Sequence, residues 1–544
     1  MKRAIFLITL FAFIARLGLG VTAAVLLPQV GYESKTQQAG YLFFDAYRRD
    51  SQAWDLAQSG KPLTRAFDEK YSSDQYGGLL WMSAFVYRYL AGGVHQPLLI
   101  VVLAALAGSL GVLFVYGSVI RLADEKTAIV SALIFAFFPE AILQGAAQMR
   151  EPFLMTFVAM AFYGLVEWQA RQIPSAAVGL TSSESVPAPV ERAFTGWMPW
   201  VWMGLALAGM LFISPAFVLV SLIAAAGWFY FDDSHASVGS STTTTTATAA
   251  GNKFKIPWLV MAAAVAVFVI ALLVLAASWN TLVTTSGGGV LGIIGSWARG
   301  TAKWNAYLLG RSSGIVQVLF QVLPPALAMP FVTIYGVLQP VLPAALFEPG
   351  ILFWQVLGVI RALGWYLLLP LLAFAPFSAW GLPSRSRSRR RQWLWLNLVV
   401  WGWILIAAVR GGGDQWDNPR YRVILMAWMA MLAAQALDTL KVFYRAKASD
   451  VEARGTTGTN EKGSSIVSVL ARPQPRPDVK RWFWRIIAVE TIILLVFGHW
   501  YSWRYLGLGF NIGIRASLII AIGFSVLLVL GDWVWQRLKP SSRL

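Results

Sequence analysis

Long, unbroken apolar runs are the feature that most limits what this chain can fold into. Of its 544 residues, 57% are hydrophobic and only 13% are charged, whereas soluble domains carry about 25% charged residues. Backbone polar groups in lipid must be paired within a helix or a closed barrel, and uninterrupted apolar runs exclude the barrel. The sequence therefore predicts an all-α polytopic membrane bundle.

A helix needs about 20 apolar residues to cross a bilayer, and on that basis we expect about 11 to 13 crossings. The run 195–230 is too long for one crossing and predicts a hairpin broken at Ser214-Pro215, because proline interrupts a helix. The proline-rich stretch 314–347 predicts an even number of crossings or a re-entrant segment. The other clear candidates are 4–27, 97–120, 127–146, 152–169, 256–278, 351–379, 393–409, 420–440, 482–500 and 512–535.

The placement of charges predicts the orientation. Residues 442–481 carry eight Lys or Arg against four Asp or Glu, whereas residues 28–76 carry six against seven. Basic loops stay in the cytoplasm, so we expect both termini inside, in a prokaryotic plasma membrane, and the loop 28–96 outside. Polar stretches without large apolar residues cannot form a core. Three of these are predicted to be cytoplasmic linkers, namely 171–196, 232–255 and 442–481.

Composition excludes several kinds of site. The formal charge of +18 lies mostly in short loops beside apolar spans, where it sets orientation and does not indicate nucleic-acid binding. The chain has no cysteine, which excludes disulfides, thiolate metal sites and cysteine nucleophiles. His95, His235 and His499 lie far apart in sequence and match no spacing of metal ligands. We therefore expect no histidine metal site.

The predicted outer loop contains a short helix with acidic residues. Asp50, Trp54 and Ala57 follow the i, i+4, i+7 rule and share one face, and Gly60 is expected to end the helix. Asp45 lies five residues before Asp50, about 140° around the helix. The two carboxylates therefore cannot address one point from a regular helix. Spacing alone favours a solvated amphipathic helix on the membrane surface.

The motif Asp50-x-x-x-Trp54-x-x-Ala57-x-x-Gly60 resembles the Asp-(Glu)-x-x-Tyr-x-x-Ala signature of the GT-C glycosyltransferases, in particular the branch of protein O-mannosyltransferases and aminoarabinose transferases. The chain departs from that signature because Ser51 stands in place of a second acid and Trp54 in place of tyrosine. Further elements in the same order are similar to the family: Pro139 followed by Arg150-Glu151, the hairpin from Gly204-Leu205 to Pro215, and Pro419-Arg420-Tyr421-Arg422.

We divide the chain into three predicted parts, the first of which is set by the resemblance. Residues 1–280 form a GT-C-like membrane module that includes the outer loop 28–96. Residues 281–350 are expected to form an outer loop and a re-entrant or hairpin segment, and residues 351–544 the C-terminal membrane helices. The late arginine motif falls within this last part.

The resemblance implies an inverting transferase that moves a hexose or pentose from a polyprenyl-phosphate donor, among membrane lipids, to an outer acceptor of unidentified class. A carboxylate must take the acceptor's proton; the motif favours Asp50, with Asp45 as the alternative. Cations stabilise the leaving phosphate. Arg420 and Arg422 are the candidates, with Arg150 as a weaker one, although arginines at span ends also commonly snorkel to the interface. Four further residues are candidates for a pocket or acceptor site: Trp54, Tyr76, Glu140 and Tyr421.

Two glutamates have open roles. Glu151 could orient the acceptor, help to hold a divalent cation, or pair with Arg150. Glu140 lies within an apolar span, where a carboxylate is costly unless it is paired or faces a wet cavity; alternatively it reaches water at the membrane boundary. We expect no required cofactor, with a divalent cation as the alternative, because one or two carboxylates make a poor site for an oxygen-binding cation.

One predicted outer loop is purely basic. Arg299, Lys303 and Arg311 occupy the predicted outer loop 279–313 without an acid, which suggests attraction of an anionic lipid head group.

A transporter or lipid flippase would show polar residues along several spans and pseudo-symmetry, which we do not find. A catalytically inactive assembly subunit with a GT-C-like fold is the third alternative, and the incomplete acidic pair supports it.

Overall fold

The computed structural model describes residues 2–68, 71, 76–172, 197–232, 266–267, 269–270, 324–381, 387–412, 414–455 and 477–538. The regular structure in these ranges is helical throughout, which confirms the all-α class. The predicted span 256–278, apart from four residues, and large parts of the predicted linkers lie outside the described residues. The same holds for Arg299, Lys303 and Arg311.

The chain forms two compact units, the first made of residues 1–299 and 420–431 and the second of residues 300–419 and 432–544. The first unit contains α1 (Lys2–Val30), α2 (Lys35–Gln38), α3 (Phe44–Gln58), α4 (Gly78–Phe85), α5 (Pro97–Leu122), α6 (Glu125–Phe137), α7 (Pro139–Gly145), α8 (Glu151–Gln172), α9 (Met198–Ile213) and α10 (Pro215–Tyr230). A π-helical turn, Val86–Leu90, follows α4 directly.

The second unit contains α11 (Pro325–Leu338), α12 (Leu342–Phe347), α13 (Leu352–Gly381), α14 (Arg387–Gly411), α17 (Pro477–Leu506) and α18 (Ile514–Leu538). Between them in the chain, α15 (Asp417–Val423) and α16 (Met426–Gly455) contain the points where the chain passes from one unit to the other. Within the second unit, the indole of Trp365 donates to the Val337 carbonyl oxygen at 2.8 Å, and Arg485 pairs with Asp532.

By length and apolar composition, seven helices among the described residues could each cross a membrane, and two bent helix pairs raise this to as many as nine. The seven are Arg3–Val30, Pro97–Leu122, Glu151–Arg171, Leu352–Gly381, Arg387–Gly411, Val479–Leu506 and Ile514–Leu538. The chain is thus a polytopic membrane helical bundle, as predicted.

Two of the predicted spans each consist of two helices that meet at a bend. Residues 127–146 form α6 and α7, which meet at an angle of 53°, because Pro139 has no N–H to continue the helical ladder. Residues 420–440 form the end of α15 and the start of α16, bent by 76°. Here the N–H of Leu425 bonds to the Arg422 carbonyl three residues earlier, a tighter turn than an α-helix makes.

The hairpin predicted for residues 195–230 is confirmed. Helices α9 and α10 meet at Ser214, which has an extended backbone, and Pro215 begins the second helix. Proline is well placed at the first position of a helix, where its missing N–H leaves no bond unmade. The end of α9 packs against the segment between α1 and α5, because the Phe212 ring contacts the rings of Phe67 and Trp81.

Helix α3 forms where the acidic motif predicted it and ends before Gly60, whose φ is +65°. It does not lie in solvent, because Ala53 and Leu56 are fully buried, so the solvated-helix interpretation was wrong. The Arg88 guanidinium caps its last turn: it donates to the carbonyl oxygens of Leu56 at 2.6 Å and Ala57 at 3.0 Å. Helix C-termini leave such carbonyls unpaired, and a cation there also interacts favourably with the helix dipole.

Candidate functional site

Three distant segments of the first unit meet at the guanidinium of Arg420. Its Nη1 atom donates to Oδ2 of Asp45, on α3, at 2.8 Å, and its Nε atom donates to Oε1 of Glu151, at the start of α8, at 2.9 Å. Arg420 itself lies on α15, more than 260 residues after Glu151. Charge-assisted bonds of this kind are stronger than neutral ones. One arginine therefore holds two carboxylates in a fixed arrangement.

The two carboxylates differ in their access to solvent. The Asp45 side chain keeps 37% of its surface exposed, whereas that of Glu151 has none exposed. Glu151 also pairs with Nε of Arg150 at 3.7 Å, and its Oε2 atom is buried without a hydrogen bond in the described part of the chain. An uncompensated buried carboxylate is costly, so Glu151 depends on its arginine partners.

Positive charge exceeds negative charge around this pair. Asp45 and Glu151 supply two carboxylates, and the charges of Arg49 and Arg420 act on both of them, with Arg150 acting on Glu151. Three guanidinium groups against two carboxylates leave one positive charge in excess. Arg49 is buried and donates to the Gln148 carbonyl oxygen at 3.2 Å, which ties α3 to the turn before α8. We refer to these five side chains as the arginine cluster.

The arginine cluster changes the proton affinity of Asp45. Burial alone would raise its pKa, but the charge of Arg420 and its hydrogen bond outweigh burial, and Arg49 and Arg48 act in the same direction. The net result is a pKa below the ordinary value for aspartic acid. Asp45 is therefore ionised at neutral pH and below. Such a carboxylate is a weak base, and it takes a proton only from a group that becomes acidic as it forms a new bond.

The opposite face of α3 carries a second carboxylate in a different setting. The Asp50 side chain has no exposed surface. It accepts hydrogen bonds from the hydroxyl of Tyr41 at 2.7 Å and from the hydroxyl of Tyr87, and it bonds to Nε2 of His95 at 2.6 Å. Burial, and then the Asp50 carboxylate, raise the pKa of both tyrosines, so both hydroxyls keep their protons and donate.

Rings enclose the imidazole that bonds to Asp50. Trp54 stacks on His95 with centroids 5.1 Å apart, and the edge of Tyr87 meets it at 5.2 Å. The prediction that Asp50 and Trp54 share a face of α3 is thus confirmed, and His95 joins them from the segment before α5. We call Asp50, Tyr41, Tyr87 and His95 the tyrosine cluster.

The remaining predicted site residues fall into two sets. Tyr76 and Tyr421 border the arginine cluster, since Arg150 lies 6.0 Å from the Tyr76 ring centroid and Arg420 lies 5.6 Å from that of Tyr421. Arg422 is buried two residues further along α15. Glu140 lies apart, on α7, where it is buried and accepts a hydrogen bond from Gln144 at 2.8 Å. It therefore does not reach water at a boundary.

Sequence reasoning missed several members of both clusters. Tyr41, Tyr87 and His95 belong to no recognisable motif, and their contact with Asp50 depends on how the loop folds back over α3. Arg49 could have been predicted as a neighbour of Asp45, because it lies four residues later and shares its helical face. Among the described residues, no group of three or more histidine, aspartate or glutamate side chains is arranged to hold a metal ion.

Comparison with known proteins gives distant structural similarity. No protein-family model and no curated protein matches the sequence. Among solved structures, the archaeal oligosaccharyltransferase AglB from Archaeoglobus fulgidus, in complex with an inhibitory peptide and a dolichol-phosphate, matches at 14% identity and a TM-score of 0.39, over 95% of this chain and 56% of that one. The apo form of the A. fulgidus enzyme matches at 14% identity and 0.39, over 98% and 58%. The chain thus spans little more than half the length of those proteins, and similarity this low does not assign a family.

Proposed function

We propose that this protein is a membrane glycosyltransferase of the GT-C type that moves a sugar from a polyprenyl-phosphate donor to an acceptor on the extracytoplasmic side. The observation that carries the proposal is the convergence of Asp45, Glu151 and Arg420. These residues come from the three sequence regions that resemble the family's motifs, and they form one charged site beside the N-terminus of α8. The resemblance to the O-mannosyltransferase and aminoarabinose transferase branch supports the donor class.

In this proposal Asp45 is the general base. An alcohol is a poor nucleophile until a base takes its proton as the new bond forms. Asp45 is ionised and its side chain is partly exposed, so an acceptor hydroxyl can approach it. Asp50, which the motif favours, is enclosed by Tyr41, Tyr87 and His95. Asp50 therefore has the role of fixing the loop over α3 in this mechanism.

The arginines act on the leaving group. A polyprenyl phosphate gains negative charge as the sugar departs, and fixed cations stabilise that charge in the transition state. The excess positive charge of the arginine cluster supports this role, with Arg150 and Arg420 as the donors nearest Glu151. An acceptor hydroxyl that attacks opposite the leaving phosphate inverts the anomeric carbon. Both carboxylates are bonded to Arg420, so a divalent cation would have to compete with it, and we propose that none is required.

The test is sugar transfer by the purified protein in liposomes, with radiolabelled polyprenyl-phosphate sugars as donors. Asp45→Asn should lower the rate by about 100- to 10,000-fold, the usual contribution of a general base. Asp50→Asn is the matched variant on the same helix, and its folded fraction should keep most of the wild-type rate. EDTA should leave the wild-type rate unchanged.

Three results would count against the proposal. If Asp45→Asn retains full activity while Asp50→Asn is inactive and folded, Asp50 is the base. If the wild-type protein moves labelled lipid between leaflets without transferring sugar, it is a flippase. If it does neither with any donor, the inactive-subunit alternative stands.

A further inference from the structure

Arg16 is a charged residue inside the apolar helix α1. It lies midway along the candidate span Arg3–Val30, and its side chain has no exposed surface. A guanidinium keeps its charge in proteins, and a charge within a membrane segment is costly unless it is paired. The Arg16 guanidinium therefore needs hydrogen-bond partners within the protein.

Two of the three carbonyl partners of Arg16 lie at the break between α6 and α7, and the third, that of Ala12, lies one turn earlier on α1. Nη1 donates to the carbonyl oxygens of Ala12 and Ala136, both at 2.9 Å, and Nη2 lies 3.5 Å from that of Phe135. In a continuous helix the Phe135 carbonyl would accept from residue 139, but Pro139 has no N–H. Ala136 is in the last turn of α6, where carbonyls also lack helical donors. Arg16 thus supplies the donors that the proline break removes.

The stem of Arg16 also contacts the segments that lead to the arginine cluster. A Cβ atom placed on Gly145, the last residue of α7, would lie 2.6 Å from Cδ of Arg16. One placed on Gly108 would lie 3.1 Å from Nε of Arg16 and 3.2 Å from Cβ of Pro152, the residue after Glu151. These approaches leave no space for a side chain. Arg16 therefore packs against the end of α7, where the turn that carries Arg150 and Glu151 begins, and Gly108 lies between Arg16 and Pro152 at the other end of that turn.

We infer that Arg16 is a positioning residue: by capping the broken end of α6 it sets the 53° bend and so places residues 146–151 for catalysis. This inference rests on the proposed function for its catalytic part, whereas the placement of the turn can be measured without any transfer assay. Misplacement of a reacting group by even an ångström costs about 100-fold in rate. Arg16→Met removes the donors while keeping an unbranched apolar stem.

The first measurement reports position. The chain has no cysteine, so Ala147→Cys introduces a single thiol in the turn, at a position that is 2% exposed. In otherwise wild-type protein this thiol should react slowly with a maleimide, and adding Arg16→Met should speed labelling by about tenfold or more, as expected for the loss of about 1.4 kcal/mol of protection. Gly18→Ala is the matched control, because a Cβ there has nothing within 4 Å, and it should leave labelling unchanged.

The second measurement separates positioning from simple stabilisation. Pro139→Ala restores an N–H at residue 139 and allows α6 and α7 to straighten. When Pro139→Ala is combined with Arg16→Met, the melting temperature should return towards the wild-type value. The thiol should still be labelled fast, and sugar transfer should stay low. Arg16→Lys, which keeps charge and donors, should recover slow labelling at least in part. If the Arg16→Met protein does not accumulate, the double variant with Pro139→Ala, which lacks the same donors and should be more stable, takes its place.

Any of three results overturns the inference. The first is slow labelling in the variant that lacks the Arg16 donors, and the second is fast labelling in the lysine variant. The third is that the double variant recovers slow labelling as well as stability, which would mean that Arg16 only satisfies the carbonyls. If wild-type protein transfers no sugar, the proposed function fails while the labelling results still decide whether Arg16 places the turn.

Discussion

The two faces of α3 hold the same kind of side chain in opposite ways. Asp45 is balanced by the charge of Arg420 and stays partly exposed, whereas Asp50 is enclosed by the hydroxyls of Tyr41 and Tyr87 and by His95. Charged partners keep a carboxylate ionised and available to a substrate, while a closed set of donors occupies its oxygens. A motif match alone therefore does not distinguish a partly exposed, charge-balanced acid from an enclosed one.

The largest effect should come from Arg420→Met, which removes the charged partner of Asp45. Glu151 would be left buried, and its nearest remaining ion-pair partner among the described residues would be Arg150, at 3.7 Å. Removing one partner of a buried ion pair costs about 3–5 kcal/mol. We expect a large loss of thermal stability and no measurable transfer. Adding Glu151→Gln should recover much of the stability but no transfer, which a melting curve and the liposome assay would show together. Recovery of transfer would rule out a catalytic role for this pair.

Asp50→Asn should have an intermediate effect on stability. The amide NH₂ group cannot accept the hydrogen bonds that one carboxylate oxygen now receives, and an unsatisfied buried donor costs about 1–3 kcal/mol. The readout is the melting temperature, with the specific transfer rate of the folded fraction measured alongside. A folded, stable but inactive protein would reverse the roles assigned to the two aspartates.

Tyr87→Phe should have a smaller effect, because it removes one of the donors to Asp50 and keeps the ring that packs on His95. The expected loss is about 1 kcal/mol of unfolding free energy, the usual net value of one hydrogen bond. Tyr89→Phe is the matched control on the same turn, since Tyr89 is 60% exposed. Equal melting temperatures for the two variants would mean that the Tyr87 bond contributes nothing measurable.

The smallest effect concerns pH. Because the pKa of Asp45 is lowered in the folded protein, its bond to Arg420 contributes stability above the ordinary carboxyl pKa and loses that contribution as pH falls through the lowered value. In the proposed mechanism, sugar transfer should likewise persist to unusually low pH. Of the three arginines that lower this pKa, Arg48 is the exposed one. Arg48→Gln removes its charge, so the acid limb of kcat/KM should move up by a few tenths of a pH unit. A downward move would contradict the stated cause.

Much of the fold was predictable because each apolar run encodes its own helix. The spans, the hairpin at Ser214-Pro215 and the helix around Asp50 followed from local pattern. The breaks were harder: Pro139 signalled one, but its 53° bend depends on Arg16, which comes from another helix 120 residues away. The meeting of Asp45, Glu151 and Arg420 could be expected only from a resemblance, since no periodicity links residues so far apart in sequence.

The cap on α3 has a consequence for how this protein can vary. Arg88, which reaches back from the π-helical turn, accounts for the end of α3, and it also bonds to the Lys61 carbonyl. The chain just beyond Lys61 is therefore not needed to terminate the helix. Extra residues inserted there should leave both aspartates in register, so this stretch is a suitable place to graft a new recognition segment without redesigning the chemistry beside it.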